Sequence, residues 1–267
     1  MRLMIKASTD KPCFIPINYR YQLHSMIYSL IKKSSADYAD FLHDEGYASP
    51  GHAQKRFKLF TFSRLRFYPY RFVGNGFSGV HRIEFTYSTP VDDTFGHFVY
   101  GIFADQKIQL RFGNTTSNFI VQQVESLPEP DITNPMKLMC LSPITVSTMR
   151  LKPNGNDTEL HFLDYLNPGE KLKFCANIYQ NLLEKYAIIH QKTYRGPTDF
   201  AFAFDPEYLI QREGNISKLI HFKQGIVIKA FEAPFIIKAN LGLIKIGYQC
   251  GFGEKNSAGF GCVAEIG

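Results

Sequence analysis

The chain has 267 residues, 45% hydrophobic, 20% charged and 15% aromatic, a composition that excludes intrinsic disorder and suits two modest domains better than one. Its 30 Lys and Arg against 24 Asp and Glu leave a formal charge of +6, a bias toward a polyanionic partner that a merely solvated basic surface would show equally. The five scattered cysteines include no pair at zinc-ligand spacing and read as buried free thiols. With no apolar leader and no run of about 18 apolar residues, the expectation is a cytoplasmic protein with no membrane partner, no metal and no cofactor.

Arg2, Leu3, Met4, Ile5 and Lys6 alternate apolar and basic, which predicts a strand over residues 2–7 with one buried face, followed by a turn-rich stretch around Pro12 and Pro16. Asn18 is placed to cap a helix in which Leu23, Met26, Ile27, Leu30 and Ile31 form one stripe. A second, short helix is expected from Asp37 to His43, entered through Ser34 and Ser35, before a loop from Glu45 to Lys55 that contains Gly46, Pro50 and Gly51. KLFTFSRLRFYPYRF and HRIEFTYS are strand-like; residues 93–103 are amphipathic and suit a helix; KIQLRF and NFIVQQVESL close the first half as strands.

The prolines of LPEPDITNP mark a linker, giving a first domain over residues 1–127, a connection over 128–135 and a second domain over 136–267. The order then restarts with a strand around Lys137–Met149 and a helix from Pro168, capped by Asn167 and carrying Leu172, Cys175, Tyr179, Leu182 and Tyr186 at helical spacing. Strands are expected at FAFAF, at LIHFKQGIVIKAFEAPFII and at LIKIGYQC. Each half opens strand then helix and continues into strands, which predicts an α+β protein of two tandem ferredoxin-like βαββαβ domains. The second is expected to be modified, with an antiparallel hairpin where its second helix would stand.

Residues 251–261 read GFGEKNSAGFG, with Gly251, Gly253, Gly259 and Gly261 flanking Lys255, Asn256 and Ser257. Glycines at positive φ allow backbone N–H groups to cradle a phosphate; a flexible tight loop is the alternative. The ending KIGYQCGFGEKNSAGFGCV resembles the C-terminal signature of the RAMP superfamily of CRISPR-associated proteins. In the same order, MIYSLI, FLH followed by KLFTFS, and LSPITV at residues 141–146 resemble its repeat-processing endoribonucleases. The resemblance spans nearly the whole chain. It implies two ferredoxin-like domains side by side with RNA held across their cleft, and metal-independent cutting of CRISPR repeat transcripts (pre-crRNA) into guide RNAs. The neighbouring ribose 2′-OH attacks the scissile phosphate, leaving a 2′,3′-cyclic phosphate and a 5′-OH.

Such cleavage needs a group to take the 2′-OH proton, a group to protonate the departing 5′-oxygen, and positive charge for the transition state. The resemblance maps these roles onto Tyr28 in MIY, His43 in FLH and Lys58 in KLF. An imidazole can donate or accept a proton at working pH, which favours His43, although the same residue reads otherwise as a surface histidine suited to a helix C-terminus. Tyr28 lies one position off the apolar stripe, on the flank of its helix. A phenol is a poor base at neutral pH, so Tyr28 either orients the 2′-OH or acts as a base with its pKa lowered by neighbouring cations. Lys58 is chosen over Lys55 and Arg56 by the KLF match alone. His24, one helical turn before Tyr28, and His52, in an insertion longer than the family pattern, are rival imidazoles; the remaining histidines read as structural or exposed.

Lys218, Lys223, Lys229, Lys238 and Lys245, with Arg64, Arg66, Arg71 and Arg82, recur among strand residues and suggest a basic track for single-stranded RNA, against the alternative of strand-edge protection. Lys223, Lys229 and Lys238 are the preferred contacts, together with the loop residues named above. The expected partner is CRISPR repeat RNA. A CRISPR effector complex is an open second partner, and monomer and homodimer are both compatible with the sequence. The competing reading is a non-catalytic RNA-binding subunit of such a complex, against which the complete Tyr, His, Lys set argues.

Overall fold

The computed structural model describes residues 1–49, 52–152, 155 and 157–266, with backbone alone at 52–54. The chain separates into two compact units, Met1–Glu129 with Ser257–Gly259, and Pro130–Asn256 with the residues from Phe260 onward. The division falls inside the proline-rich segment, whose residues 127–135 carry neither helix nor strand.

The first unit runs β1 (Arg2–Pro16), α1 (Arg20–Ser34), α2 (Ala36–Asp40), a π-helical turn (Phe41–Glu45), β2 (Tyr47–Ser49), β3 (His52–Phe57), β4 (Thr61–Phe62), β5 (Arg66–Tyr68), β6 (Arg71–Val73), β7 (Gly76–Ser88), α3 (Asp92–Asp105), β8 (Lys107–Phe112) and β9 (Thr115–Ser126). Its main sheet has the order β4-β7-β1-β9-β8 with every neighbour antiparallel. Removing β8 leaves the strand order of a ferredoxin-like fold. Leu3, Ile5 and Ala7 of β1 are buried while Met4 and Lys6 between them are half-buried, as a one-sided strand requires. Against that face pack the expected stripe of α1, Leu23, Met26, Ile27, Leu30 and Ile31, and Phe98 and Ile102 of α3.

Local departures from the sequence reading have identifiable causes. β1 passes through Pro12 to Pro16 by slipping register twice, between Ser8 and Cys13 and between Cys13 and Ile15, because bulges accommodate a proline that cannot donate to the ladder. Tyr19 rather than Asn18 precedes α1, with no side-chain cap. The short helix expected to end at His43 ends at Asp40, and a wider π turn carries His43 instead. The loop expected from Glu45 to Lys55 is a β2–β3 hairpin; Pro50 and Gly51 lie outside the described residues.

The second unit runs β10 (Met136–Cys140), β11 (Ser147–Leu151), β12 (Thr158–Phe162), α4 (Pro168–His190), β13 (Ala201–Phe204), α5 (Pro206–Gln211), β14 (Ser217–Lys223), β15 (Ile226–Phe231), β16 (Phe235–Lys238), α6 (Leu241–Cys250) and β17 (Val263–Glu265). Its antiparallel sheet, β13-β16-β10-β17, is again ferredoxin-like. Asn167 caps α4 through Gly169 N with Pro168 in the first turn, and Phe174 of α4 meets Phe202 and Phe204 of β13.

Two expectations are corrected here. The strand expected over 137–149 is two strands separated by irregular chain. LIKIGYQC, expected as a strand, is α6, so the second helix is present and the β14–β15 hairpin is an insertion between β13 and β16. The alternation of Ile244, Ile246, Tyr248 and Cys250 mimics a strand, but Leu243, Ile244, Gly247 and Tyr248 are equally a helical stripe, and all are buried. Asn240 decides for helix by capping it through Gly242 N.

Phe98 of α3 stacks on Tyr87 of β7, with ring centroids 3.8 Å apart at 15°, and both are fully buried. Phe98→Ala is expected to destabilise the protein by about 3–5 kcal/mol, seen as a lower urea midpoint at unchanged slope.

Candidate active site

The three residues assigned to catalysis come together in the first unit by local backbone devices. The π turn, a feature concentrated at functional sites, closes with Gly46 N donating to Phe41 O at 2.7 Å. Gly46 sits at φ +64, and a Cβ there would lie 2.7 Å from Phe57 O and 2.9 Å from Lys58 Cδ, so this position is restricted to glycine twice over. The β2–β3 hairpin then returns the chain, and Lys58 Nζ donates to His43 O at 2.9 Å. The β2–β3 hairpin is therefore what brings Lys58 back to His43. Leu59 follows with φ +53, unusual for a branched residue; its bend lets Lys58 face the turn while Phe60 packs under Tyr28 at 5.8 Å between ring centroids.

Tyr28 and His43 meet edge to face at 5.9 Å. On the other side of Tyr28, His24 lies at 4.7 Å, and Tyr21 stacks on His24 at 6.2 Å, so four rings form a ladder along α1. His43 is 69% exposed at its side chain and its Nδ1 lies 2.6 Å from Asp44 Oδ1. His24 Nδ1 lies 2.7 Å from Ser257 O, and because a carbonyl only accepts, Nδ1 carries the hydrogen. The side chain of His52 lies outside the described residues.

The environments of these groups differ in sign. Burial raises the Tyr28 phenol far above its ordinary range, against a smaller opposing effect of the Ser257 side chain. Burial lowers the His24 imidazole, the Ser257 carbonyl opposing and His43 adding to the shift. Burial also lowers the Lys58 amine, with Asp44 opposing.

The glycine loop is placed differently from the expectation. Gly251, Gly253, Gly259 and Gly261 are buried. Gly251 N donates to Gly247 O, Phe252 N to Gly261 O, Glu254 N to Thr145 O and Gly261 N to Pro143 O, so these amides are engaged internally and unavailable for a phosphate. The loop glycines allow close approach: a Cβ on Gly261 would stand 2.0 Å from Phe252 O. Asn256 donates to Phe252 O and Phe260 O and accepts from the buried Lys185, whose Nζ also donates to Gly251 O at 2.7 Å and Gly253 O at 3.2 Å. Lys255 is exposed, with its amine 5.8 Å from the Phe162 ring. In the first unit, Ser257 supplies its carbonyl to His24, and Arg20 donates to Gly259 O.

Of the three strand lysines preferred for RNA, Lys229 pairs with Asp164 at 2.6 Å and Lys238 with Asp199 at 2.8 Å, whereas Lys223 is exposed near the end of the β14–β15 hairpin. The sequence reading missed Lys185, although it stands three residues after Leu182 on the buried stripe of Phe174, Ile178 and Leu182, where a lysine is out of place unless it is bonded.

Family models match the chain in two adjoining pieces: "CRISPR-associated protein Cas6, N-terminal" over residues 14–125 and "CRISPR associated protein Cas6, C-terminal" over residues 127–265. The chain belongs to the Cas6 family. It is 33% identical over 267 residues to a Methanocaldococcus jannaschii protein named CRISPR-associated endoribonuclease Cas6 1, covering 100% of this chain and 93% of that one. It is 30% identical over 274 residues to the CRISPR-associated endoribonuclease Cas6 of Pyrococcus furiosus, covering 98% and 89%. Among solved structures, a CRISPR associated protein Cas6 superposes with a TM-score of 0.76 at 30% identity, covering 100% of this chain and 99% of that one. A Cas6-related protein from Pyrococcus furiosus does so with a TM-score of 0.78 at 22% identity, covering 100% and 98%, which supports the tandem ferredoxin-like fold.

His24 in this Cas6 protein also makes stability depend on pH. Its folded pKa lies below its unfolded value of about 6.5, so the unfolded chain binds more protons and stability falls as pH drops below about 6.5. The urea midpoint measured from pH 8 to pH 5 is expected to decline on the acid side, and His24→Asn is expected to flatten that decline.

Proposed function

We propose that this Cas6 protein is a metal-independent endoribonuclease that cuts CRISPR repeat transcripts into guide RNAs, with Tyr28, His43 and Lys58 as its catalytic residues. The observation that carries the residue assignment is the convergence of these three side chains from α1, the π turn and the end of the β2–β3 hairpin. The ribose 2′-oxygen attacks the adjacent phosphorus, the bond to the 5′-oxygen breaks, and one proton leaves the nucleophile while one reaches the leaving group. Nothing in this exchange needs an electron acceptor or a Lewis acid.

His43 handles proton transfer. Its Nδ1 faces Asp44, which leaves Nε2 on the other edge of an exposed ring to meet the RNA, and a positioned imidazole contributes typically about 10²- to 10⁴-fold. Tyr28, kept protonated by burial, orients the 2′-OH as a hydrogen-bond partner. Lys58 stabilises the pentacoordinate phosphate electrostatically, an effect magnified where water is scarce. Lys223, Lys229, Lys238 and Lys255 belong to the RNA-binding surface in this reading, with Lys229 and Lys238 exchanging a carboxylate for phosphate. The protein works in the cytoplasm as a monomer or homodimer, with a CRISPR effector complex as an open second partner.

Cleavage of a labelled repeat RNA is expected to proceed in EDTA, and His43→Ala to slow the single-turnover rate by at least about 10²-fold with the RNA still bound. Full activity of that variant, with the loss appearing in His52→Ala, would move the assignment to the other imidazole. Tyr28→Phe is expected to lower the rate without displacing the pH–rate profile; a displaced profile would restore a proton-transfer role for the phenol.

A further inference from the structure

A groove of about 410 Å³ lies in the first unit between α1 and β8. Its floor includes Met26 and Leu30, its α1 wall includes Tyr21, and Lys33, Lys107 and Arg111 stand around it. No carboxylate lines it, although Asp105 pairs with Lys33 at 2.8 Å from outside. β8 alternates strictly, burying Ile108 and Leu110 and exposing Lys107, Gln109 and Arg111, so the cations repeat at the spacing of one strand face. Arg111 Nη2 reaches Gln109 Oε1 at 3.5 Å, a bond at the long limit that a phosphate oxygen would displace at little cost.

Tyr21 is shared between the groove and the row of rings on α1. Tyr21, His24 and Tyr28 stand at offsets of three and four, hence on one face of α1, and Tyr21 both lines the groove and stacks on His24. A concave site with an aromatic wall and cations on its rim, and without acids, has the chemistry of single-stranded nucleic acid binding: rings accept bases, and Lys and Arg take phosphates. An acidic peptide would be served by the cations but would make no use of the ring ladder.

We infer that the groove between α1 and β8 holds a single-stranded stretch of the repeat RNA, with Tyr21 stacking a base and Lys107 and Arg111 taking phosphates. This rests on the endoribonuclease reading for the identity of the RNA, but its test does not depend on cleavage. A repeat RNA with a 2′-deoxy nucleotide at the scissile position is titrated against the full chain over a range of salt concentrations. Lys107→Glu with Arg111→Glu, both at exposed positions, is compared with Lys192→Glu plus Arg195→Glu, which changes the net charge equally at exposed positions of the second unit.

The groove variant is expected to raise Kd at least about tenfold at 0.1 M salt and to flatten the log–log salt dependence by about 1.4, or 0.7 for each lost phosphate contact. The control pair is expected to stay within about threefold of the unaltered protein. Tyr21→Leu is expected to weaken binding with the salt slope unchanged, because stacking releases no counterions. Equal Kd and slope in the groove variant, or equal loss in the control pair, overturns the inference, and points to some other occupant such as an acidic protein segment. If the unaltered protein cuts the all-ribose repeat while groove variants bind normally, the groove fails and the endoribonuclease reading stands. If binding depends on the groove but no cut appears, the reverse holds.

Discussion

The bond from the Lys58 ammonium to the carbonyl of His43 fixes the relation of the π turn to the strand that follows the β2–β3 hairpin. A charge-assisted bond of 2.9 Å is about twice as strong as a neutral one, and it acts on backbone already constrained on both sides. Gly46 takes a left-handed φ with no room for a Cβ, and Leu59 takes a left-handed φ despite its side chain. Thr89 Oγ1 donates to Leu59 O at 2.8 Å and secures that bend. The position of His43 is thus set by backbone geometry, and its imidazole is left exposed to a substrate. Lys58 pays for the arrangement with partial burial, which lowers its pKa against the pull of Asp44 and Glu45, and a phosphate arriving beside it would favour the charged form again.

Burial also sorts the other groups. Tyr28 and His24 are both pushed toward their neutral forms, while His43 lies at the surface with a carboxylate at its Nδ1. Burial thus separates Tyr28 and His24 from the exposed ring of His43. The Tyr21, His24, Tyr28 and His43 rings stand in one row.

Much of this was legible in the sequence. Periodicity placed α1, α3, α4 and the first sheet, and the motifs around Tyr28, His43 and Lys58 singled out residues that the fold then brings together. The failures share one physical origin, a local pattern that fits two periods or depends on a distant partner. LIKIGYQC satisfies strand and helix spacing together, and the Asn240 cap rather than hydrophobicity separates them. The bend from Asp40 into the π turn depends on Gly46 meeting Phe57 and Lys58 across a hairpin, which adjacent residues do not encode. Tyr21 is an ordinary helix-flank residue until β8 supplies Lys107 and Arg111 opposite it.

The glycine loop carries the family resemblance, yet several of its amides are turned inward. Read alone, four glycines suggest N–H donors turned toward a phosphate, yet the amides of Gly251, Phe252, Glu254 and Gly261 are spent on neighbouring carbonyls and hydrogen bonds from Lys185 and Asn256 hold the loop's own oxygens. Where the loop joins the first unit it presents oxygens, Ser257 O to His24 and Gly259 O to Arg20. A carbonyl repels a phosphate but suits an imidazole N–H and a guanidinium. The electrostatic sign therefore makes Ser257 and Gly259 supports for α1, holding the helix that carries Tyr28.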